Sequence, residues 1–215
     1  MTARLALLLL LLLPAATFAA KPAVPSGPAP VAGTDYVVIE DGKPYRPLNG
    51  KIEVLEVFGY WCHHCADFAP RIDAWKRKQA ADVRVTYLPL PNGGSDPLAR
   101  AYFAAEAAGV LGKTHDAMFR AIHDEHTLPK NPTFDEIAAF HAQLGLDAAR
   151  LKASMESAAI GARLEPAYQY AIQSGVEGTP TVIVNGRYRV TGRTLDDTLR
   201  ITDHLVARER AAKRR

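Results

Sequence analysis

Cysteine is scarce in this chain, because the 215 residues contain only two. Cys62 and Cys65 are separated by two histidines, and no second C-x-x-C pair exists. A zinc ion needs four ligands, so a zinc site would have to recruit histidines from inside or outside the motif. A c-type haem needs a histidine directly after the second cysteine, and Ala66 stands there. We therefore expect no metal and no organic cofactor.

Five further histidines lie far from the cysteines: His115, His123, His126, His141 and His204. Each falls in an amphipathic stretch typical of helices. We expect all five to lie on helix surfaces, facing solvent, and not to act as ligands.

Long hydrophobic runs are also lacking, apart from one at the start. Leu5–Leu13 follows Arg4, ends at Pro14 and is trailed by small residues. A membrane span needs about 20 apolar residues, and this run is shorter. The pattern is typical of a secretory signal peptide over residues 1–20, with cleavage near Ala19 or Ala20. No later stretch has the length to span a bilayer.

The net charge of +3 does not indicate a nucleic-acid site. Much of the excess comes from the last eight residues, RERAAKRR, and no basic stripe is interleaved with aromatics. At 48% hydrophobic residues, the chain suits one globular domain or one domain carrying an insertion. We expect no nucleic-acid partner.

The order of elements predicts an α/β fold with a central mixed sheet and flanking helices. Lys51–Trp61 is a strand pattern, helical periodicity begins at Cys62, and Val83–Leu90 is a second strand, so a parallel strand–helix–strand unit is expected. Asn185-Gly186 predicts a late hairpin. Thr194 is expected to cap a final helix that runs from Leu195 to about Arg208.

These patterns divide the chain into five parts. After the signal peptide, residues 21–35 form a flexible leader rich in Pro, Gly and Ala. Residues 36–97 form the first part of the sheet domain, residues 98–174 an inserted all-helical subdomain, and residues 175–215 the second part of the sheet domain.

The cysteine pair is poorly explained as a structural staple. A disulfide across a two-residue gap constrains the unfolded chain little. Cys62 falls where a strand meets a helix, so free N–H groups and the positive helix end favour its thiolate, and His64 can add a donor. Cys65, one turn deeper, should be shielded. This asymmetry predicts thiol–disulfide exchange, with a metal site and a structural turn as open alternatives.

Two further features accompany the motif. Glu56 lies in the apolar strand before Cys62, where it is either buried or on an outward-facing edge. Thr179-Pro180 precedes a strand, and an X-Pro bond can be cis.

Together, Cys62-His63-His64-Cys65 at a strand–helix junction, the helical block and Thr179-Pro180 resemble the thioredoxin fold, and more narrowly the DsbA family of exported thiol:disulfide oxidases. The resemblance implies Cys62 as nucleophile, Cys65 as resolving cysteine and His64 as a group favouring the thiolate. It implies Glu56 as a buried acid that assists proton movement. Thr179 and a cis Pro180 would contact an extended client, with Trp61 and His63 beside them.

The resemblance also implies a periplasmic monomer whose clients are unfolded exported proteins with free cysteines. Its redox group would be the Cys62–Cys65 disulfide, reoxidised by a quinone-linked membrane oxidase resembling DsbB. Two departures from the family pattern stand out: His63 replaces the usual proline, and Tyr87 or Leu88 stands where a lysine commonly accompanies the buried acid. A periplasmic reductase or isomerase, and a copper-binding module that uses CHHC, are the alternatives.

Overall fold

The protein is described by a computed structural model that covers residues 25–214. Within this range the strands are β1 Tyr36–Val38, β2 Ile52–Phe58, β3 Val83–Pro89, β4 Thr181–Val184 and β5 Tyr188–Val190. The helices are α1 His63–Lys76, α2 Pro97–Ala107, α3 Leu111–His123, α4 Phe134–Gln143, α5 Ala148–Glu156, α6 Ala158–Gly161, α7 Leu164–Gln173 and α8 Leu195–Ala212. The predicted signal peptide lies outside the described residues.

The strands form one mixed sheet in the order β1-β5-β4-β2-β3. β2 is parallel to β3 and antiparallel to β4, and all seven of its residues are buried. Helix α1 connects the two parallel strands, as the alternation of patterns predicts. The predicted α/β class with a central mixed sheet is confirmed.

Helices α2–α7 lie between β3 and β4 in the chain, and side-chain caps fix where several of them begin. The Asp96 carboxylate accepts from the N–H groups of Leu98 and Ala99, and Pro97 occupies the first turn. Thr133 and Glu136 form a reciprocal capping box at α4. The predicted Thr194 cap of α8 is present, although the helix continues to Ala212, beyond the predicted end.

The apolar core has two parts. One joins the sheet to helices α2–α7 and includes Leu55, Phe58, Met118 and both cysteines. The other packs the sheet against α1 and α8. No helix within residues 25–214 has the length and apolar character that a bilayer-spanning segment needs. Both cysteines therefore belong to the larger core and not to a separate module.

A second acid in β2, Glu53, is fully buried and has a structural role. Its carboxylate accepts from the backbone N–H groups of Tyr45 (2.7 Å) and Arg46 (3.1 Å). It also accepts from the Arg84 guanidinium at 3.0 Å and the Thr86 hydroxyl at 3.1 Å. Because every contact offsets the cost of burying the charge, Glu53 fixes the segment before β2 to the sheet.

The prediction that the five distant histidines lie on helix surfaces is wrong for two of them. His141 is fully buried in α4, where burial lowers the pKa of its imidazole to about 4. His115 packs inside a cluster of aromatic rings beside the active site. Helical periodicity cannot separate an apolar-face histidine from an exposed one, because the ring is small enough to pack in either place.

The hairpin between β4 and β5 depends on a glycine, and this generates a stability prediction. Gly186 has φ +68°, and a Cβ there would lie 2.0 Å from the Lys43 carbonyl oxygen. Gly109 has a similar φ of +71° with nothing within 4 Å of that position. We expect Gly186→Ala to lower the free energy of unfolding by roughly 2–4 kcal/mol, because strain and overpacking combine.

Gly109→Ala is the matched control. It should lower the free energy of unfolding by only about 1–2 kcal/mol, the cost of a left-handed backbone conformation for alanine. Urea unfolding of both variants checks this. Equal losses would show that the segment at Lys43 moves aside without cost.

Candidate active site

Cys62 lies at the point where the chain turns from β2 into α1. It is the N-cap residue of α1, with extended backbone angles (φ −88°, ψ 117°), and no side chain caps the helix in its place. Its own N–H donates to the Gly59 carbonyl at 3.0 Å. The free N–H groups of the first turn therefore surround the Cys62 sulfur, as the sequence predicts.

The N–H groups of the first turn and the thiol of Cys65 together make Cys62 acidic. A hydrogen bond from the Cys65 thiol, with smaller contributions from the backbone N–H groups of Cys65 and His64, lowers the pKa of Cys62 to about 5, against the opposing effect of burial. At neutral pH the Cys62 sulfur is therefore a thiolate, the form that attacks disulfides and leaves from them.

Cys65 has the opposite environment. It is fully buried, and burial raises the pKa of its thiol far above the ordinary range. The hydrogen bond to Cys62 and the nearby Glu56 carboxylate raise it further. The two sulfurs thus divide the roles: one is ionised and lies at the helix start, and the other stays protonated beneath it.

Glu56 is buried, which resolves the choice that the sequence left open. It is 1% exposed, and its Oε2 has no hydrogen-bond partner. Burial, together with the smaller effects of the Cys62 and Asp116 charges, raises the pKa of the carboxyl to about 8. The Glu56 carboxyl is therefore protonated near neutral pH. It lies close enough to both cysteines for electrostatic interactions to shift pKa values between them.

The position next to Glu56 on β3 lacks the lysine that commonly accompanies the buried acid in the family that the sequence resembles. Tyr87 is the register partner of Glu56 across the parallel pair, so an uncharged phenol occupies the neighbouring position. Tyr87, His115 and Asp116 line a cavity of about 710 Å³ on this side of the sheet. No lysine on β3 is available to stabilise a Glu56 anion, which agrees with its raised pKa.

Residues that the sequence analysis did not select support the cysteine loop from α3. The Tyr60 hydroxyl and His115 Nδ1 are 2.9 Å apart, and His123 Nε2 is 2.7 Å from the Tyr60 carbonyl oxygen. Burial lowers the pKa of His115 to about 3, so its ring is neutral. The clustering of His115, His123 and His126 in sequence was the available signal, although His126 is exposed.

The Thr179-Pro180 loop lies directly against Cys62. The peptide bond between these residues is cis. When protonated, the Cys62 thiol donates to the Thr179 carbonyl oxygen, with Sγ and O 3.2 Å apart. The Thr179 N–H donates to no backbone carbonyl of the described residues. A main-chain donor without a backbone acceptor therefore lies beside the Cys62 sulfur.

The remaining predicted residues lie on the rim of the site. His63 and His64 are exposed, with ring centroids 3.9 Å apart, and Trp61 is half-buried. His64 contributes its backbone N–H to the Cys62 sulfur, whereas the prediction emphasised its imidazole. Across residues 25–214, no group of three or more His, Cys, Asp or Glu side chains is arranged to hold a metal ion.

Comparison with known proteins identifies the family. A family model described as the DSBA-like thioredoxin domain matches residues 91–201. The curated thiol:disulfide interchange protein DsbA of Pseudomonas aeruginosa is 37% identical over 188 residues, which cover 86% of this chain and 88% of that protein. The chain belongs to the DsbA family of thiol:disulfide oxidoreductases.

Other DsbA proteins show the same relation. DsbA of Azotobacter vinelandii is 35% identical over 185 residues, covering 84% of this chain and 85% of that protein. The crystal structure of the oxidoreductase DsbA from Xylella fastidiosa superposes with a TM-score of 0.81 at 50% identity, covering 85% of this chain and 98% of that one. The thioredoxin fold of the DsbA type is therefore confirmed.

The first prediction from this site concerns Cys62. Titration of the reduced protein, followed by the ultraviolet absorbance of the thiolate, should give one thiol with a pKa of about 5. Cys62→Ser should show no thiolate below about pH 8, because Cys65 remains protonated. A midpoint near that of a free cysteine in the unsubstituted protein would contradict the assigned environment.

The second prediction concerns Glu56. Because its pKa is raised to about 8, the folded chain keeps a proton above pH 4.5 that the unfolded chain releases, and stability falls as pH rises through this window. This loss amounts to up to about 1.4 kcal/mol of unfolding free energy per pH unit. Glu56→Gln should remove it, because the amide does not titrate. The gain over the unsubstituted protein should be larger at pH 8 than at pH 5.

Urea unfolding of the oxidised protein measures this without interference from the thiols. Burial, the largest cause of the raised pKa, acts there too, whereas the contribution of the Cys62 charge is lost. Glu125→Gln, at an exposed position, is the control and should change stability equally at both pH values. A pH-independent effect of Glu56→Gln would mean that its carboxyl is ionised in the folded protein.

Proposed function

We propose that this protein is a periplasmic thiol:disulfide oxidase that introduces disulfide bonds into exported proteins by exchange through Cys62 and Cys65. The observation that carries the proposal is the opposed ionisation of the two thiols. A stabilised Cys62 thiolate favours the reduced form, so the oxidised form readily accepts electrons.

The reaction balances over two exchanges. A client thiolate attacks the Cys62 sulfur of the disulfide; the bond to Cys65 breaks, and the Cys65 sulfur leaves and takes a proton. A second client thiol, after losing its proton, attacks the client sulfur of the mixed disulfide, and Cys62 leaves as a thiolate. The client loses two electrons and two protons and gains a disulfide, and the protein is left reduced.

We assign the surrounding residues to support these steps. Glu56, buried and protonated beside Cys65, exchanges a proton with the Cys65 sulfur. The Thr179 main chain pairs with an extended client segment, and Pro180 shapes the loop. His64 supplies its N–H to the Cys62 thiolate, while Trp61 and His63 contact the client from the exposed rim.

The wider setting follows the same proposal. Residues 1–20, a signal peptide by sequence, direct the chain to the periplasm, where unfolded exported proteins with free cysteines are its clients. A quinone-linked membrane partner resembling DsbB reoxidises the pair, and the protein acts as a monomer. The two curated relatives described above are both thiol:disulfide interchange proteins, which disfavours a copper-binding role.

Two cysteine variants test the mechanism. Cys62→Ser should reduce the oxidation of a reduced dithiol peptide to background, since no other sulfur of the pair is accessible. Cys65→Ser cannot form the internal disulfide and should not oxidise the reduced peptide. Mixed with the disulfide form of the peptide, its Cys62 thiolate should attack one peptide sulfur while the other leaves as a thiolate, and the resulting mixed disulfide should be visible by mass spectrometry after alkylation. If Cys62→Ser still oxidises the peptide, the mechanism is wrong.

A glutathione redox titration distinguishes an oxidase from a reductase or isomerase. We expect a potential more oxidising than that of glutathione, because the thiolate favours the reduced form. A potential as reducing as that of thioredoxin would support the reductase alternative instead.

A further inference from the structure

A cavity of about 470 Å³ opens beside the redox loop, between α1 and the start of α8. Its walls come from three separate parts of the chain. The side chains that matter for its chemistry are His64, Arg71, Thr179, Pro180, Arg193 and Asp196. Only Pro180 and Leu195 contribute apolar side chains to the lining, so the cavity suits a polar group.

The cavity is continuous with the position of the nucleophile. Thr179 and Pro180 form part of its wall, and the Thr179 carbonyl oxygen is 3.2 Å from Cys62 Sγ. An extended client segment whose cysteine is bonded to Cys62 and whose main chain follows Thr179 passes over the opening. Because side chains alternate along a strand, one residue within two positions of the client cysteine points into the cavity.

The fixed charges at the cavity are predominantly positive. Arg71 Nη1 binds Asp196 Oδ1 at 2.6 Å, so these two charges offset each other. Asp197 binds Arg200 at 2.8 Å and also accepts from the backbone N–H of Arg193 at 3.2 Å, so its charge acts on both arginines. The Arg193 guanidinium is exposed and forms no ion pair with any carboxylate of residues 25–214. Arg71, Arg193 and Arg200 thus face two carboxylates, Asp196 and Asp197, and one positive charge remains in excess.

Other charged groups do not cancel this cation. Glu177, two residues before Thr179, is exposed and does not line the cavity. His64 lines the wall nearest to Cys62 and adds a hydrogen-bond donor. An acidic side chain would meet the Arg193 guanidinium, whereas a lysine would meet a like charge and an apolar side chain would be surrounded by polar groups.

We infer that this cavity selects clients with an aspartate or glutamate within two residues of the reacting cysteine, through the guanidinium of Arg193. The inference rests on the proposed function and adds a substrate class to it. Since the cavity is open to solvent, one such contact should change the exchange rate by about two- to five-fold and should weaken with added salt.

Three reduced dithiol peptides test it, identical except for Glu, Gln or Lys beside the first cysteine. Quenched-flow alkylation gives the rate at which each peptide reduces the oxidised protein, divided by the rate of the same protein with dithiothreitol. The quantity compared is the Glu-to-Gln rate ratio. An acidic neighbour also changes the peptide's own thiol pKa, but this effect cancels when the same two peptides are used with each protein variant.

Arg193→Gln should lower the Glu-to-Gln ratio by about two- to five-fold. Asp196→Asn should raise it, because Arg71 then loses its only ion-pair partner within the described chain. Arg150→Gln makes the same charge change on exposed α5, away from the cavity, and should leave the ratio as in the unsubstituted protein.

Two results would overturn the inference in distinguishable ways. If every peptide is oxidised but the ratio is the same in the unsubstituted protein and in Arg193→Gln, the cavity does not select acidic clients, while the oxidase function stands. If no peptide is oxidised although dithiothreitol reduces the disulfide, the proposed function fails, and the substrate class fails with it.

Discussion

The site depends on holding two sulfur atoms, one helical turn apart, in opposite electrostatic environments. Cys62 occupies the N-cap of α1, where unpaired N–H groups stabilise a negative sulfur. Cys65 lies in the core beside Glu56, where a negative sulfur would have no compensation. The Cys65 thiol is also the group that contributes most to stabilising the Cys62 thiolate. Reduction therefore yields one thiolate supported by one thiol.

The contacts that build this arrangement come from three different parts of the fold. The buried strand β2 ends just before the cysteines, so the chain must leave the sheet and start α1 there. The helices inserted between β3 and β4 bring His115 and His123 against Tyr60, which fixes the loop leading to Cys62. The Thr179-Pro180 loop then covers the sulfur from the opposite side. No single supersecondary unit contains all three contacts.

Local sequence signals predicted the elements well, because each has a local cause. Asn185 and Gly186 both adopt positive φ in the hairpin, and Thr194 caps α8 through the Asp197 N–H. Burial was less predictable. Whether Glu56 and His141 face the core depends on which helices pack over them, and those contacts come from distant parts of the chain.

The ion pair near Cys62 could not be predicted from the sequence either, because its two residues are distant along the chain. Arg71 and Asp196 are 125 residues apart in sequence, so nothing in the local pattern of either indicated that they meet beside Thr179. Tyr87 was identified as a candidate partner of Glu56 only as one of two residues, and the strand register decides between them. A single sequence gives the spacing along each strand but not the offset between two strands.

The arrangement of the sheet also has a consequence for the timing of assembly. The reactive sulfur and the carbonyl that contacts it are 117 residues apart, and β4, which flanks β2 on one side, is among the last elements to be made. A nascent chain that has reached only the helical insertion already carries both thiols beside an unpaired strand edge. At that stage Cys62 lacks the contact with the Thr179 carbonyl oxygen, which only the final segment of the polypeptide supplies.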